Sequence, residues 1–129
     1  MIWWVYGDLS KATQEVLVHA GLADGIFISP ISGWEIGLLS NPKSRRRKLN
    51  LLPDPPTWFG EVMTRPGVKD AGLSGIAAVS ASFLPEPLHA DPADRLLVAT
   101  ARALGVPLLT GDRDILAYGE AGHVQALAC

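Results

Sequence analysis

The sequence has a single cysteine, Cys129, the last of its 129 residues. Neither a disulfide framework nor a thiolate metal site is therefore available, and a reducing cytosol is the simplest setting. Charge of either sign is not in excess: 11 Lys and Arg against 13 Asp and Glu leave a net charge of −2. Net charge thus advertises no nucleic-acid partner. No apolar run reaches the ~20 residues a membrane span needs; the most apolar segment is cut by Arg102, Gly105 and Pro107. The opening MIWWVYGD lacks the basic region and long apolar core of a secretory leader. Internal repeats and low-complexity segments are absent as well.

What remains is a globular profile, 48% hydrophobic and 19% charged, at a length that suits one domain with one substantial core, residues 1–129. SKATQEVLVHAG, residues 10–21, starts on an N-cap serine, carries apolar Val16, Leu17 and Ala20, and stops at Gly21, as an amphipathic helix does. GIFIS, 25–29, is a short apolar run bounded by Gly and Pro and reads as a buried strand. PISGWEIGLLS follows as a helix, with Ser32 a possible cap. NPKSRRRKLNLLPDPP, rich in Pro and basic residues, reads as an exposed loop. TWFGEVMT, 57–64, is expected to be a short helix, and GVKDAGLS, 67–74, a strand leading into a helix that Ser74 caps and IAAVSASFL continues to Pro85. Residues 91–104 give the clearest helix, with Asp91 as N-cap, Pro92 first, Asp94 third and Gly105 as the stop. VPLLT is then a buried strand, GDRDILAYG a short helix and HVQAL a last strand. Strands alternating with helices predict an α/β fold with a parallel sheet covered on both faces.

In such sheets, ligands collect beyond the carboxyl ends of the strands. Asp112 stands one residue past VPLLT, Glu35 one and a half turns into the helix after IFIS, and Asp94 in the first turn of the long helix. If these carboxylates converge, their repulsion must be offset, and a divalent cation is the usual agent. Oxygen-only ligands favour Mg²⁺ or Mn²⁺ over zinc. Each acid also has an ordinary reading: Asp91, Asp94, Asp112 and Asp114 as first-turn caps, Glu35 as a helix-surface carboxylate. Glu35 fits that reading poorly among Trp34, Ile36 and Leu38.

SPISGWEIGLL and HADPADRLLVATARALGVPLLTGDRDIL, in that order, resemble the PIN-domain family, and within it the VapC-type toxins of bacterial toxin–antitoxin pairs. The resemblance covers nearly the whole chain. It implies a three-layer α/β/α sandwich with a central parallel sheet, and a Mg²⁺- or Mn²⁺-dependent endoribonuclease that leaves a 5′-phosphate and a 3′-hydroxyl. Glu35, Asp94 and Asp112 fall on the family's acidic metal positions, with Asp114 a nearby acid. A metal in such a site acidifies a water and offsets charge on the leaving oxygen. The resemblance also implies self-pairing and a VapB-like antitoxin whose C-terminal segment lies along the acidic groove.

The family pattern is departed from at the start. VapC-type chains open with a strand ending in an Asp that is the first metal ligand, within a stretch like LLDTHALLWWL. MIWWVYGDLSKAT matches only its end, so that Asp would fall before Met1, and Asp8 matches a later turn instead. The aromatic cluster IWWVY also gains little as a free terminus. Either a start codon upstream or a decayed site accounts for this, and the three retained acids favour the first.

Among the other features, SRRRK, with Arg45, Arg46, Arg47 and Lys48, could grip phosphates or form a solvated loop. Arg95 could contact RNA or pair with a neighbouring acid. His19, His89 and His123 lack metal-ligand spacing and are expected to be structural, with His89 possible at the rim of the site. Trp3, Trp4, Trp34 and Trp58 are expected to pack in the core or against a partner. Two rival functions stand beside the ribonuclease. One is a PIN-like module that binds antitoxin but holds metal poorly; the other is an aspartyl-nucleophile phosphohydrolase built on GDRD, 111–114.

Overall fold

Serines and aspartates begin the helices of this chain. In the computed structural model, which describes residues 9–45 and 49–129, six helices are present among the described residues. They are α1 (Lys11–Leu22), α2 (Pro30–Ser40), α3 (Pro55–Met63), α4 (Gly75–Ala81), α5 (Pro92–Leu104) and α6 (Arg113–Glu120). Each follows an N-cap whose side chain accepts a backbone N–H: Ser10, Ser29, Asp54, Ser74, Asp91 and Asp112. Such caps satisfy amides that the helix itself leaves without partners. The cap of α2 is Ser29, not Ser32, because Pro30 occupies the first helical position, where a missing N–H costs nothing.

Four short strands, β1 (Ile26–Ile28), β2 (Val68–Asp70), β3 (Leu108–Thr110) and β4 (Ala126–Ala128), alternate with these helices. The fold class is α/β with parallel strands. β1 pairs with β2 in the register Ile26 to Val68, and β3 with β4 in the register Leu108 to Ala126. The chain forms two compact units, Met1–Asp70 and Ala71–Cys129, each holding one strand pair.

In the first unit, Ile36, Leu49 and Leu51 are buried together, with Leu39, Trp58 and Phe59 packed against them. The loop expected to be exposed therefore tucks two leucines inward, and the Leu49 amide is tied to the Leu39 carbonyl at 2.8 Å. Arg46, Arg47 and Lys48 of that loop lie outside the described residues, as do Trp3, Trp4 and Asp8; Arg45 is exposed. Trp58 packs in the core as expected, while Trp34 is 57% exposed. Gly67 is required where it stands. Its φ is +79°, and a Cβ there would collide with the Gly21 carbonyl oxygen beside the bond from the Ile26 amide to the Gly67 carbonyl.

In the second unit, Val98, Ala99 and Ala101 of α5 and Ile115 and Tyr118 of α6 share one core with Ala81, Leu84, Leu88 and Val124. α5 ends where Gly105 takes the left-handed conformation, φ 66°. The helix expected to run to Pro85 stops at Ala81. Its carbonyl would need an N–H from residue 85, and a proline has none. Arg95 Nε supplies that donor instead, 2.9 Å from the Ala81 carbonyl, while its two other nitrogens reach the carbonyls of Leu88 at 3.3 Å and Leu84 at 3.5 Å. The Tyr118 hydroxyl donates to the Pro85 carbonyl at 2.9 Å. The last strand begins later than HVQAL suggests, because His123 is held outside it. Its ring stacks on Tyr118 with centroids 4.5 Å apart, and its carbonyl accepts from Arg102 at 2.7 Å.

Arg95 is thus the tie between the 82–90 segment and α5. A lysine keeps the charge but carries its N–H groups on one nitrogen and cannot span carbonyls that the guanidinium reaches from three. Arg95→Lys should lower unfolding stability by about 1–3 kcal/mol, the cost of leaving such acceptors unpaired. A urea midpoint unchanged from wild type would show that the guanidinium is not structural.

Candidate metal centre

Two helices start side by side in chemistry if not in sequence. α5 opens on Asp91 with Asp94 in its first turn, and α6 opens on Asp112 with Asp114 in its first turn. Each cap is well made. Asp91 Oδ1 accepts from the Ala93 amide at 2.9 Å, and Asp112 Oδ1 accepts from the amides of Asp114 at 2.8 Å and Ile115 at 3.1 Å. Asp112 is itself fixed at the end of β3, since its amide donates to Thr110 Oγ1 at 3.1 Å. The bonds to Asp112 fall on Oδ1 and leave Oδ2 for another partner. The ordinary reading of these aspartates as caps therefore holds for Asp91 and Asp112, and it does not compete with a ligand role.

The α5 and α6 openings meet electrostatically. Burial holds the Asp94 carboxyl above its ordinary pKa of 3.8, and the like charges of Asp91, Asp112 and Asp114 push the same way, against the opposing influence of His89. His89 is the residue the sequence argument undervalued. Its Nε2 lies 3.4 Å from Asp94 Oδ2, and its donor atom and those of Asp112 and Asp114 all lie within 4.8 Å of one another. Its position was legible in HADP: two residues ahead of a helix cap, the imidazole can accept the cap's own amide, as Nδ1 does from Asp91 at 3.2 Å.

The structure thus brings together Asp94, Asp112, Asp114 and His89 within the second unit. Glu35 is half-buried on α2 of the first unit, following β1 as expected. Arg95 turns its guanidinium to the carbonyls already described, so neither the pairing with an acid nor a free phosphate contact describes its observed role.

An open cleft of about 360 Å³ adjoins the acids, lined in part by Pro87, His89, Asp114 and Tyr118. A larger one of about 730 Å³ lies around Gly105, Val106, Gly122 and Gln125 and carries none of the acids. The donor set of the acidic cluster, three carboxylates and one imidazole, suits a hard divalent cation. Such an ion would counter the burial and the like charges that raise Asp94.

The chain is similar to Ribonuclease VapC22 of Mycobacterium tuberculosis (strain ATCC 25618 / H37Rv), with 29% identity over 118 residues, 90% of this chain and 84% of that protein. No protein-family model matches the chain, and no solved structure matches it. No helix among the described residues is long and apolar enough to cross a membrane. The similarity to a ribonuclease of the VapC type supports the PIN-like resemblance that the acidic motifs carry.

Proposed function

We propose that this protein is a metal-dependent endoribonuclease, the toxin of a type II toxin–antitoxin pair acting in the cytoplasm. The observation that carries the reading is the cluster of Asp112, Asp114 and His89, with ligand atoms within 4.8 Å of one another, and Asp94 3.4 Å from His89. The 29% identity to a protein named a ribonuclease supports it independently. Asp94, Asp112 and Asp114 would hold Mg²⁺ or Mn²⁺, and Glu35 is assigned to the same ion on the family resemblance alone. When bound, the ion supplies Lewis-acid polarisation of the phosphodiester and charge neutralisation at the leaving oxygen. The chain's part is positional. The amides of Asp114 and Ile115 fix one oxygen of Asp112, leaving the other aimed by the cap, and burial of Asp94 keeps bulk water from screening it.

Arg45, Arg46, Arg47 and Lys48 are proposed to hold RNA phosphates, a contact that neutral salt would weaken. A VapB-like antitoxin and a second copy of the chain are the proposed protein partners.

Mn²⁺-dependent cleavage of total RNA tests the enzyme reading. Wild-type protein should cut, and Asp94→Asn and Asp112→Asn should each slow it by about 100-fold or more, the usual scale for losing a group that stabilises transition-state charge. Products should carry a 5′-phosphate. Absence of cutting with retained antitoxin binding would favour the binding-module reading, and a phosphoenzyme lost in Asp112→Asn would favour the phosphohydrolase.

The burial of Asp94 and the like charges around it have a second consequence. Because its folded pKa is raised above 3.8, the folded protein keeps a proton that the unfolded chain has released. The resulting stabilisation is full below 3.8 and is lost as pH rises through the raised value. In EDTA, the melting temperature of wild type relative to Asp94→Asn should therefore fall as pH rises from the ordinary carboxylate range toward neutrality. Mn²⁺ at neutral pH should restore the wild type by several degrees and leave the variant nearly unmoved. A difference between the two proteins that stays flat with pH and ignores Mn²⁺ would remove the cluster as a cation site.

A further inference from the structure

We propose that Trp34 is a substrate-binding residue, a platform on which one base of single-stranded RNA stacks; this rests on the ribonuclease reading above. The indole is 57% exposed, whereas tryptophan is highly buried on average. Among the described residues no ring or cation packs on it, and it stands outside the cluster in which Trp58 and Phe59 pack on Ile36. Its exposure is sustained by the helix that carries it. A helical side chain leans toward the N-terminus, so a side chain at position 37 would lie back over the turn that holds Trp34. Position 37 is a glycine, and a Cβ placed there meets no atom within 4 Å. Packing does not require that glycine, although glycine weakens a helix interior. Gly33 differs: a Cβ there would come 3.0 Å from the Phe59 ring, so its smallness serves the core. What Gly37 leaves open is one side of the indole.

The surroundings favour an anion with flat faces. α2 starts past the carboxyl end of β1 with Ser29 as its cap, the kind of place where ligands of α/β folds collect. Glu35, assigned above to the metal, follows Trp34 and points about 100° away around the helix axis. Roughly 9 Å along that axis from Trp34 the helix ends, and the turn beyond it is pinned. The Asn41 side-chain oxygen accepts the Lys43 amide at 2.9 Å, and the Asn41 carbonyl accepts the Ser44 amide at 2.9 Å. Lys43 and Arg45 are exposed on this turn, and Glu35 is the only acid between Pro30 and Arg45. An apolar protein surface laid over the indole would desolvate those cations without pairing them. A single strand of RNA brings a π-face to the indole and phosphates to Lys43 and Arg45 at once, the combination by which such strands are held. A duplex keeps its base faces stacked inside, so the platform selects unpaired RNA.

The test follows two probes: a short fluorescein-labelled single-stranded RNA of mixed sequence, by anisotropy in EDTA, and inorganic polyphosphate, which has the charge and no bases, by calorimetry. Trp34→Ala should weaken RNA binding by about 5- to 150-fold, the range for losing one stacked base, and Trp34→Phe should recover most of the loss. Gly37→Leu favours the helix yet sets a side chain over the indole; it should weaken RNA binding while the melting temperature holds or rises. These three variants should bind polyphosphate as wild type does. Arg45→Ala should weaken both probes and reduce the slope of log affinity against log salt by about 0.7. RNA affinity unchanged in Trp34→Ala, full RNA binding by Gly37→Leu, or polyphosphate binding lost along with RNA binding in Trp34→Ala overturns the proposal. So does a dimer that Trp34→Ala breaks with RNA affinity untouched, which would give the indole to a second copy of the chain. Any of these outcomes with Mn²⁺-dependent cleavage intact leaves the ribonuclease reading standing. Trp34-dependent RNA binding without cleavage removes that reading and keeps the platform, and wild type that neither binds nor cleaves RNA overturns both.

Discussion

The second unit is organised around a conflict between packing and charge. Val98 and Ala101 of α5 and Ile115 and Tyr118 of α6 belong to one buried core, and the starts of the two helices carry acids that act on one another. Both starts are acidic, for a sound local reason: an aspartate is among the best N-caps, and a carboxylate in the first turn is favoured by the helix dipole. Each helix taken alone is stabilised by its two acids. Taken together they put Asp94 among three like charges in a partly buried place. Local preference and tertiary packing pull in opposite directions here, and sites of function are where such disagreement is tolerated.

Much of this was legible in the sequence because it is written in short-range chemistry. DPAD spells a cap, a proline that needs no N–H, and a first-turn acid, and α5 starts accordingly. Gly105 ends it in the left-handed conformation that glycine adopts without strain. VPLLTGD placed a strand and a cap in sequence, and Asp112 fills that cap. What the sequence hid depends on groups far apart along the chain. The end of α4 at Ala81 follows from Arg95, fourteen residues on, taking a carbonyl that Pro85 cannot serve. The late start of β4 follows from His123 stacking on Tyr118 and from Arg102 holding its carbonyl. The burial of Leu49 and Leu51 inside a stretch of proline and basic residues follows from α2 and α3, whose Leu39, Trp58 and Phe59 receive them. Composition described that loop by its majority, and two leucines decided its course.

The acids show the same division. The places of Asp94 and Asp112, in the first turn of one helix and at the cap of the next, were legible. His89 was legible only as a residue two ahead of a helix cap, where its Nδ1 accepts the Asp91 amide; its approach to Asp94 was not. Arg95 was misread for a related reason. Beside an acid in sequence, an arginine on a helix suggests a surface pair, yet its side chain runs back over the turn before it and finds the exposed carbonyls of a broken helix end.

The ordinary and the functional readings of the aspartates turn out not to exclude one another, and the reason lies in the carboxylate itself. It has two oxygens and up to four acceptor directions. Asp112 gives Oδ1 to two amides and keeps Oδ2. The two bonds remove most of the rotational freedom that the side chain would otherwise lose on taking up a ligand, so the cap lowers the entropic cost of binding at the second oxygen. A free surface aspartate offers the same charge with none of that preparation. Asp94 is prepared differently, by burial and by His89 facing one of its oxygens, which makes its charge harder to hold and more rewarding to neutralise. One acid is fixed by backbone amides, and the other is raised by burial and by its acidic neighbours.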